Sequence, residues 1–306
     1  MNKLLASTLL STLIGGLCVS LSAGAKPVER QVGASRVNWT TGQMVVTGTG
    51  AVRAGMPKGP ARLMARRAAM ADAYRLLAEA VEGVQVFAET TVNNYTTTND
   101  RIKVQVQASI RGAQTVGTTR YLSDGTVEVD VQLPIFGSGS VAQAIQFGQA
   151  VKNQFSMPFR NPLRYLAYRG YDLAMATPEW EPEGVMTAAS TTPYTGLVID
   201  ATGLAAEPAM GPFIVGSGKR LHPNGNIGID PERIVKEGPL HYVEDLDDAL
   251  TDVARVGNNP LVIEAKAAVG NPIHSNILLS KSSAVKIEQE NKTSRFLDQL
   301  KVVLVL

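Results

Sequence analysis

The stretch from 59 to 84, "GPARLMARRAAMADAYRLLAEAVEGV", constrains the fold of this chain more than any other. Leu63, Met70, Ala73/Tyr74, Leu77 and Val81 recur at helical spacing, which predicts one buried stripe on a long helix between 60 and 82. Ala61, Ala65, Ala68, Ala69, Ala71, Ala78 and Ala80 widen the stripe with small residues, so the helix can lie close to a sheet. Asp72, Arg75 and Glu79 are spaced to pair along its surface, and Gly83 is placed to end it in the left-handed region.

Just before it stands "VVTGTGAVRAG" (45–55), the outline of a strand, a glycine turn and a helix that would cradle a phosphate. The dinucleotide fingerprint needs a third glycine where Arg53 stands, and an acid on a second strand where the chain is still helical. Gly50 and Gly55 have P-loop spacing, but Met56-Pro57 replaces the lysine and hydroxyl residue. The glycines are therefore expected to swing an edge strand onto the helix, with no nucleotide.

After Gly83 the pattern changes to period two. Residues 84–95 are β-rich, "IKVQVQASI" (102–110) alternates, and "TVEVDVQL" (126–133) alternates after the hairpin signal Asp124-Gly125. Half-polar alternation predicts a sheet with one wet face and antiparallel pairing. The fold class expected is α+β: a strand, a long helix and an antiparallel four-stranded meander over 44–134, then a second α+β domain over 194–306. Residues 26–43 are an extended lead-in. Residues 135–193 are a connector, with a helix at 140–155 and linker composition at 177–193. In the second domain, strands are expected in 194–204, 213–221, 260–269 and 275–280, and helices at 245–257 and 282–300. "KVVLVL" (301–306) is a strand apolar enough for a sheet centre.

The first 25 residues have the form of an export leader: Lys3, an uncharged apolar run, then Ala23-Gly24-Ala25. The expected product is soluble and periplasmic. The single cysteine, Cys18, lies within the leader, and Leu17 occupies the position where lipid attachment wants a small residue. Cleavage thus leaves no thiol for disulfides, thiolate metal sites or cysteine catalysis. Without Lys3, 28 basic residues face 27 acidic ones, which argues against nucleic acid as a partner.

The remaining side chains do not converge on a reaction. His222, His241 and His274 lack ligand-like spacing to one another or to Asp200, Asp230 and Glu244, and loop positions are expected for them. No G-x-S-x-G elbow exists, and Asp247-Asp248 are adjacent on a helix and diverge. The expectation is a protein that is not an enzyme and carries no cofactor or metal. Candidate interaction residues are Arg66 and Arg67 on the helix, Asp200, Pro208 and Met210 in the turns at 200–215, and Arg255, Asn258 and Asn259 in those at 255–265. Those turns also offer the alternative of a periplasmic module that binds a small ligand.

Ala65-Arg66-Arg67-Ala68-Ala69, Asp72-Ala73-Tyr74-Arg75 and Leu77-Ala78-Glu79, preceded by "GTG" and followed by "DRIKVQVQASIRGA", resemble the LPP20 family of bacterial envelope proteins. The resemblance covers about residues 44–134, and that domain is similar to the N-terminal part of the flagellar H-ring protein FlgT. It implies an exported, non-enzymatic component that works by protein–protein contact, with envelope or flagellar proteins as partners. Peripheral outer-membrane association and homo-oligomerisation are compatible with it.

Overall fold

The computed structural model describes residues 26–52, 55–156, 192–223 and 229–306. The leader, Cys18 and nearly all of the expected linker at 177–193 lie outside them. The chain is α+β, as its sequence predicts, with an antiparallel sheet region followed by mixed sheets.

Strands β1 (Glu29–Val32) and β2 (Ser35–Asn38) form a hairpin that leads into β3 (Gln43–Ala51). The lead-in is therefore part of the first sheet. Along β3, Met44, Val46, Gly48 and Gly50 point inward and alternate with more exposed residues. Helix α1 (Lys58–Gly83) then runs back over them. Its buried face is Ala61, Ala65, Ala69, Ala73 and Leu77, one residue every fourth position, with Ala80 and Val81.

This contact corrects the reading of the glycines. Gly48 and Gly50 are inside the strand, and the turn at Gly55 lies beyond them. A Cβ on Gly48 would overlap the backbone of Ala69 and Ala73, and one on Gly50 would overlap that of Ala65 and lie 2.6 Å from the Ala69 nitrogen. Glycine here permits backbone-to-backbone approach of a strand and a helix. Leu63, expected in the buried stripe, is instead 64% exposed, because the alanines rather than the larger residues face the sheet. Gly83 keeps to the helix, which ends at Val84 in extended conformation.

The next elements are β4 (Gln85–Phe87), β5 (Thr90–Thr91), α2 (Val92–Thr98), α3 (Asp100–Arg111), β6 (Gln114–Tyr121) and β7 (Thr126–Pro134). The sheet order is β1-β2-β3-β7-β6, with all pairs antiparallel. Its outer face is wet as expected: Arg120 holds Glu128 and Asp130, and Thr47 donates to Asp130 at 2.7 Å.

The expected strand at 102–110 is a helix. Ile102, Val106 and Ile110 are buried while Val104 is 59% exposed, so the true spacing is four. Asn99 caps this helix by accepting from the Arg101 and Ile102 amides, Asp100 and Arg111 suit its dipole, and Gly112 follows its end. The four-stranded meander thus reduces to the β6–β7 hairpin, turned at Asp124-Gly125, plus the small β4–β5 pair.

Helices α4 (Val141–Ala144) and α5 (Phe147–Ser156) replace the single helix expected at 140–155. The break falls at Gln146, whose φ is +53°.

The second half opens with β8 (Gly196–Asp200), β9 (Ile214–Gly216) and β10 (Lys219–His222). Then come α6 (Pro231–Glu237), β11 (His241–Val243), α7 (Leu246–Thr251) and α8 (Val253–Val256). The chain continues through β12 (Pro260–Glu264), β13 (Ala267–Val269), β14 (Asn276–Leu278), α9 (Lys281–Ser294) and β15 (Val302–Val305). One sheet, β11-β15-β8-β12, is wholly parallel, and β15 is internal to it as its composition predicts. Leu197, Ile199, Val302 and Leu304 face the main core, while Val198, Val303 and Val305 lie with Ala249 of α7 and Val256 of α8. Burial on both faces explains the unbroken apolar runs. The expected strand at 260–269 divides between this sheet and the mixed sheet β10-β9-β14-β13.

The two halves share one hydrophobic core. Phe87 stacks on Phe213 with centroids 5.4 Å apart, and Trp39 meets Tyr242 edge-on at 5.8 Å. The amides of Met210 and Gly211 donate to the carbonyls of Gln85 and Val86 at 2.9 and 2.8 Å.

Replacing Gly48 by Ala is expected to cost about 3 kcal/mol or prevent folding, because rigid backbone on both sides cannot yield. Gly59→Ala, in the open first turn of α1, should gain up to ~1 kcal/mol. Urea unfolding of the two variants checks the contrast.

Candidate functional site

Of the residues singled out from sequence, Arg66 and Arg67 lie on the exposed side of α1. Arg66 donates through Nε to Thr119 Oγ1 of β6 at 3.2 Å. One turn earlier, the Arg62 guanidinium sits 5.4 Å from the centre of the Tyr121 ring. These contacts bring the start of α1 against the end of β6. Leu63, between Arg62 and Arg66, is 64% exposed, and Tyr121 and Leu122 are exposed by 48% and 44%. None of the three arginines is in an ion pair among the described residues. β6 is also an edge strand, with its outer main chain unpaired and a register shift between Val116 and Arg120. Sequence reasoning found the arginines and missed the apolar residues beside them, because Leu63 matched the buried period and Tyr121 is distant in the chain.

The turns at 200–215 are open only in part: Thr202, Gly203, Ala205 and Glu207 are exposed, and 208–215 are buried. Pro208 and Met210 are buried, and Met210 is tied to Gln85 by its main chain. Tyr242 donates its hydroxyl proton to the Ala209 carbonyl at 2.8 Å. Gly211 therefore serves the seam between the halves, whereas Gly203, at φ +78°, serves the exposed turn after β8. Asp200 is half-buried and accepts from the Thr202 amide at 3.0 Å, which closes the turn after β8.

In the 255–265 turns, Asn258 is exposed and Asn259 half-buried. Asn259 holds the chain entering β8 through its amide to Thr195 Oγ1 at 2.9 Å and its side chain to Pro193 O at 3.3 Å. Arg255 was expected at a surface and is interior, 7% exposed. It donates to the carbonyls of Gly238 at 3.0 Å and Glu237 at 3.4 Å, at the end of α6. Burial pushes its pKa down to about 10, against the nearby charges of Glu237 and Asp252.

The histidines do not gather. His274 is exposed, and His241 is 3.2 Å from Asp252 with its pKa lowered by burial and then by Arg255. His222 departs from the loop expectation, being wholly buried. Its Nε2 lies 2.7 Å from the Pro239 carbonyl, so that nitrogen carries the proton, while Nδ1 has no partner. No group of three or more His, Cys, Asp or Glu side chains suited to a metal exists among the described residues.

Residues 40–134 match the family model of the LPP20 lipoprotein, and that region is therefore similar to the LPP20 family. Residues 196–306 match the model of the second domain of Treponema pallidum Tp0624. No curated protein sequence matches the chain significantly. The first matched family is one of lipoproteins, which associates its domain with the cell envelope. No described helix is long and apolar enough to cross a membrane.

Burial holds His222 neutral and pushes its pKa down to about 4, against its hydrogen bond to Pro239 and with Arg255 adding to the shift. The unfolded chain, with an ordinary histidine pKa near ~6.5, takes up the proton first. Stability should therefore be complete above that pH and fall by about 3 kcal/mol as pH drops toward 4. Denaturant unfolding across this range should show the decline, and His222→Gln should flatten it.

Proposed function

We propose that this chain is an exported, non-enzymatic structural or assembly protein of the periplasm that works by protein–protein contact at the outer membrane or flagellar base. Export rests on the leader-like first 25 residues, with cleavage after Ala25. Leu17 before Cys18 favours a product released from the membrane, and this departs from the lipoproteins of the matched family. The flagellar setting rests on the resemblance of the LPP20-like region to FlgT.

The observation that carries the reading is the end of the first domain where α1 meets β6. Leu63, Tyr121 and Leu122 are exposed at this end, where Arg62 lies over Tyr121 and Arg66 reaches Thr119. Exposed apolar side chains grouped at one place are the usual mark of an interaction site. The free edge of β6 adds main-chain donors and acceptors for an incoming strand. The partner that fits is an extended protein segment carrying apolar and acidic side chains: it pairs with β6, covers Leu63 and Tyr121, and gives the arginines their counter-charges.

Native co-purification from envelopes tests this. The wild-type chain should recover a discrete envelope or flagellar protein. A Leu63→Ser, Arg66→Glu, Tyr121→Ser variant should reduce that recovery by about tenfold or more with little change in Tm, since buried aromatic and arginine anchors carry most interface energy. Equal recovery by the variant, or a wild-type chain that purifies alone, contradicts the reading.

A further inference from the structure

A second site lies at the seam between the halves, remote from the β6 edge. A cavity of about 430 Å³ opens between the chain after β2, the end of β7 and the elements α6, α8 and β15. Trp39 and Phe136 give it an apolar wall, and Arg233, Lys236, Arg255 and Lys301 face it. Against these four cations the lining holds one carboxylate, Glu237, which Arg233 already engages at 3.0 Å. Lys236 and Lys301 are in no ion pair among the described residues.

Arg255 is the telling member. A guanidinium 93% removed from water normally faces a carboxylate, since burying an unpaired charge costs several kcal/mol. Here its direct partners are two neutral carbonyls, and Nε has none. The carbonyl contacts at the end of α6 account for its position as a helix cap. They leave Nε without a partner, and Glu237 and Asp252 offset the charge only at a distance, with no direct ion pair to Arg255. The indole Nε1 of Trp39, another cavity-lining side chain, is likewise buried without an acceptor. Four cations and two unpartnered N–H groups beside one carboxylate suit this wall to an anion.

We propose that this cavity binds a small organic oxyanion, its carboxylate or phosphate group held by Arg255, Lys301 and Lys236 and its body lying along Trp39 and Phe136. The volume falls in the range of small-molecule sites. Both halves supply part of the wall, so occupancy would bind them together. Of the turns considered from sequence as a ligand site, only Arg255 contributes.

The test uses the mature chain with Trp180→Phe, which leaves Trp39 as the only tryptophan. Inorganic phosphate, glucuronate and uncharged glucose are titrated at constant ionic strength, and Tm and Trp39 emission are followed. Phosphate or glucuronate should raise Tm by about 2 °C or more at saturation and move the emission, and the stronger of the two assigns the oxyanion. Glucose should do neither. The surface double variant Lys236→Gln, Lys301→Gln should fold normally and lose both responses. Failure of both anions overturns the proposal. So does a response that persists in the double variant, because general salt exclusion would then suffice.

Discussion

The backbone of α1 rests on the backbone of β3 at Gly48 and Gly50, and the first half of the molecule is arranged around that contact. With any side chain at those two positions the helix would stand off, and Ala65, Ala69 and Ala73 are too small to bridge the gap. The close end then opens toward larger residues, with Met44 and Val46 on the strand and Leu77 and Val81 on the helix, where the main core begins. The same approach brings Asp72 to the β3 edge that β2 leaves uncovered. Its carboxylate accepts from the Thr49 amide at 3.0 Å and pairs with Arg75 at 2.8 Å. Those bonds, the Thr49 amide first, hold its pKa below the usual carboxylate value. One side chain thereby covers an exposed strand edge and fixes the helix register.

The lower end of this unit supplies the seam. Val84 to Ala88 follow α1 directly, and their main chain accepts the 209–211 segment of the second half as a strand would. Gly211 allows the approach, since a Cβ there would come within 2.8 Å of the Phe87 ring and 3.0 Å of Phe147. The helix placement set at Gly48 thus reaches the second half through Phe87 and Phe213. At the opposite end, the start of α1 and the end of β6 remain uncovered. The first half therefore has a packed seam at one end and exposed apolar side chains at the other.

Local patterns made much of this legible. α1, β3, β7, the Asp124-Gly125 turn and the central β15 follow from periodicity and turn chemistry alone. Where reading failed, two structures shared one pattern. Ile102, Val106 and Ile110 are four apart, which satisfies both a strand and a helix, and only the Asn99 cap and Gly112 distinguish them. A glycine pair in a strand looks the same whether it turns or lets a helix approach, and the difference lies in alanines some 20 residues away. Site residues were harder still. The burial of Arg255, His222 and Met210 depends on the distant half of the chain, and the meeting of Arg62 with Tyr121 depends on how α1 crosses the sheet.

One core spanning both halves implies one cooperative unit. Urea unfolding followed by Trp39 emission in the Trp180→Phe chain and by far-ultraviolet circular dichroism measures this most directly, because Trp39 sits on the seam. The two probes should trace a single coincident transition, displaced together by Gly48→Ala if that variant folds. Two separated transitions, with the seam opening before the secondary structure melts, would contradict the account.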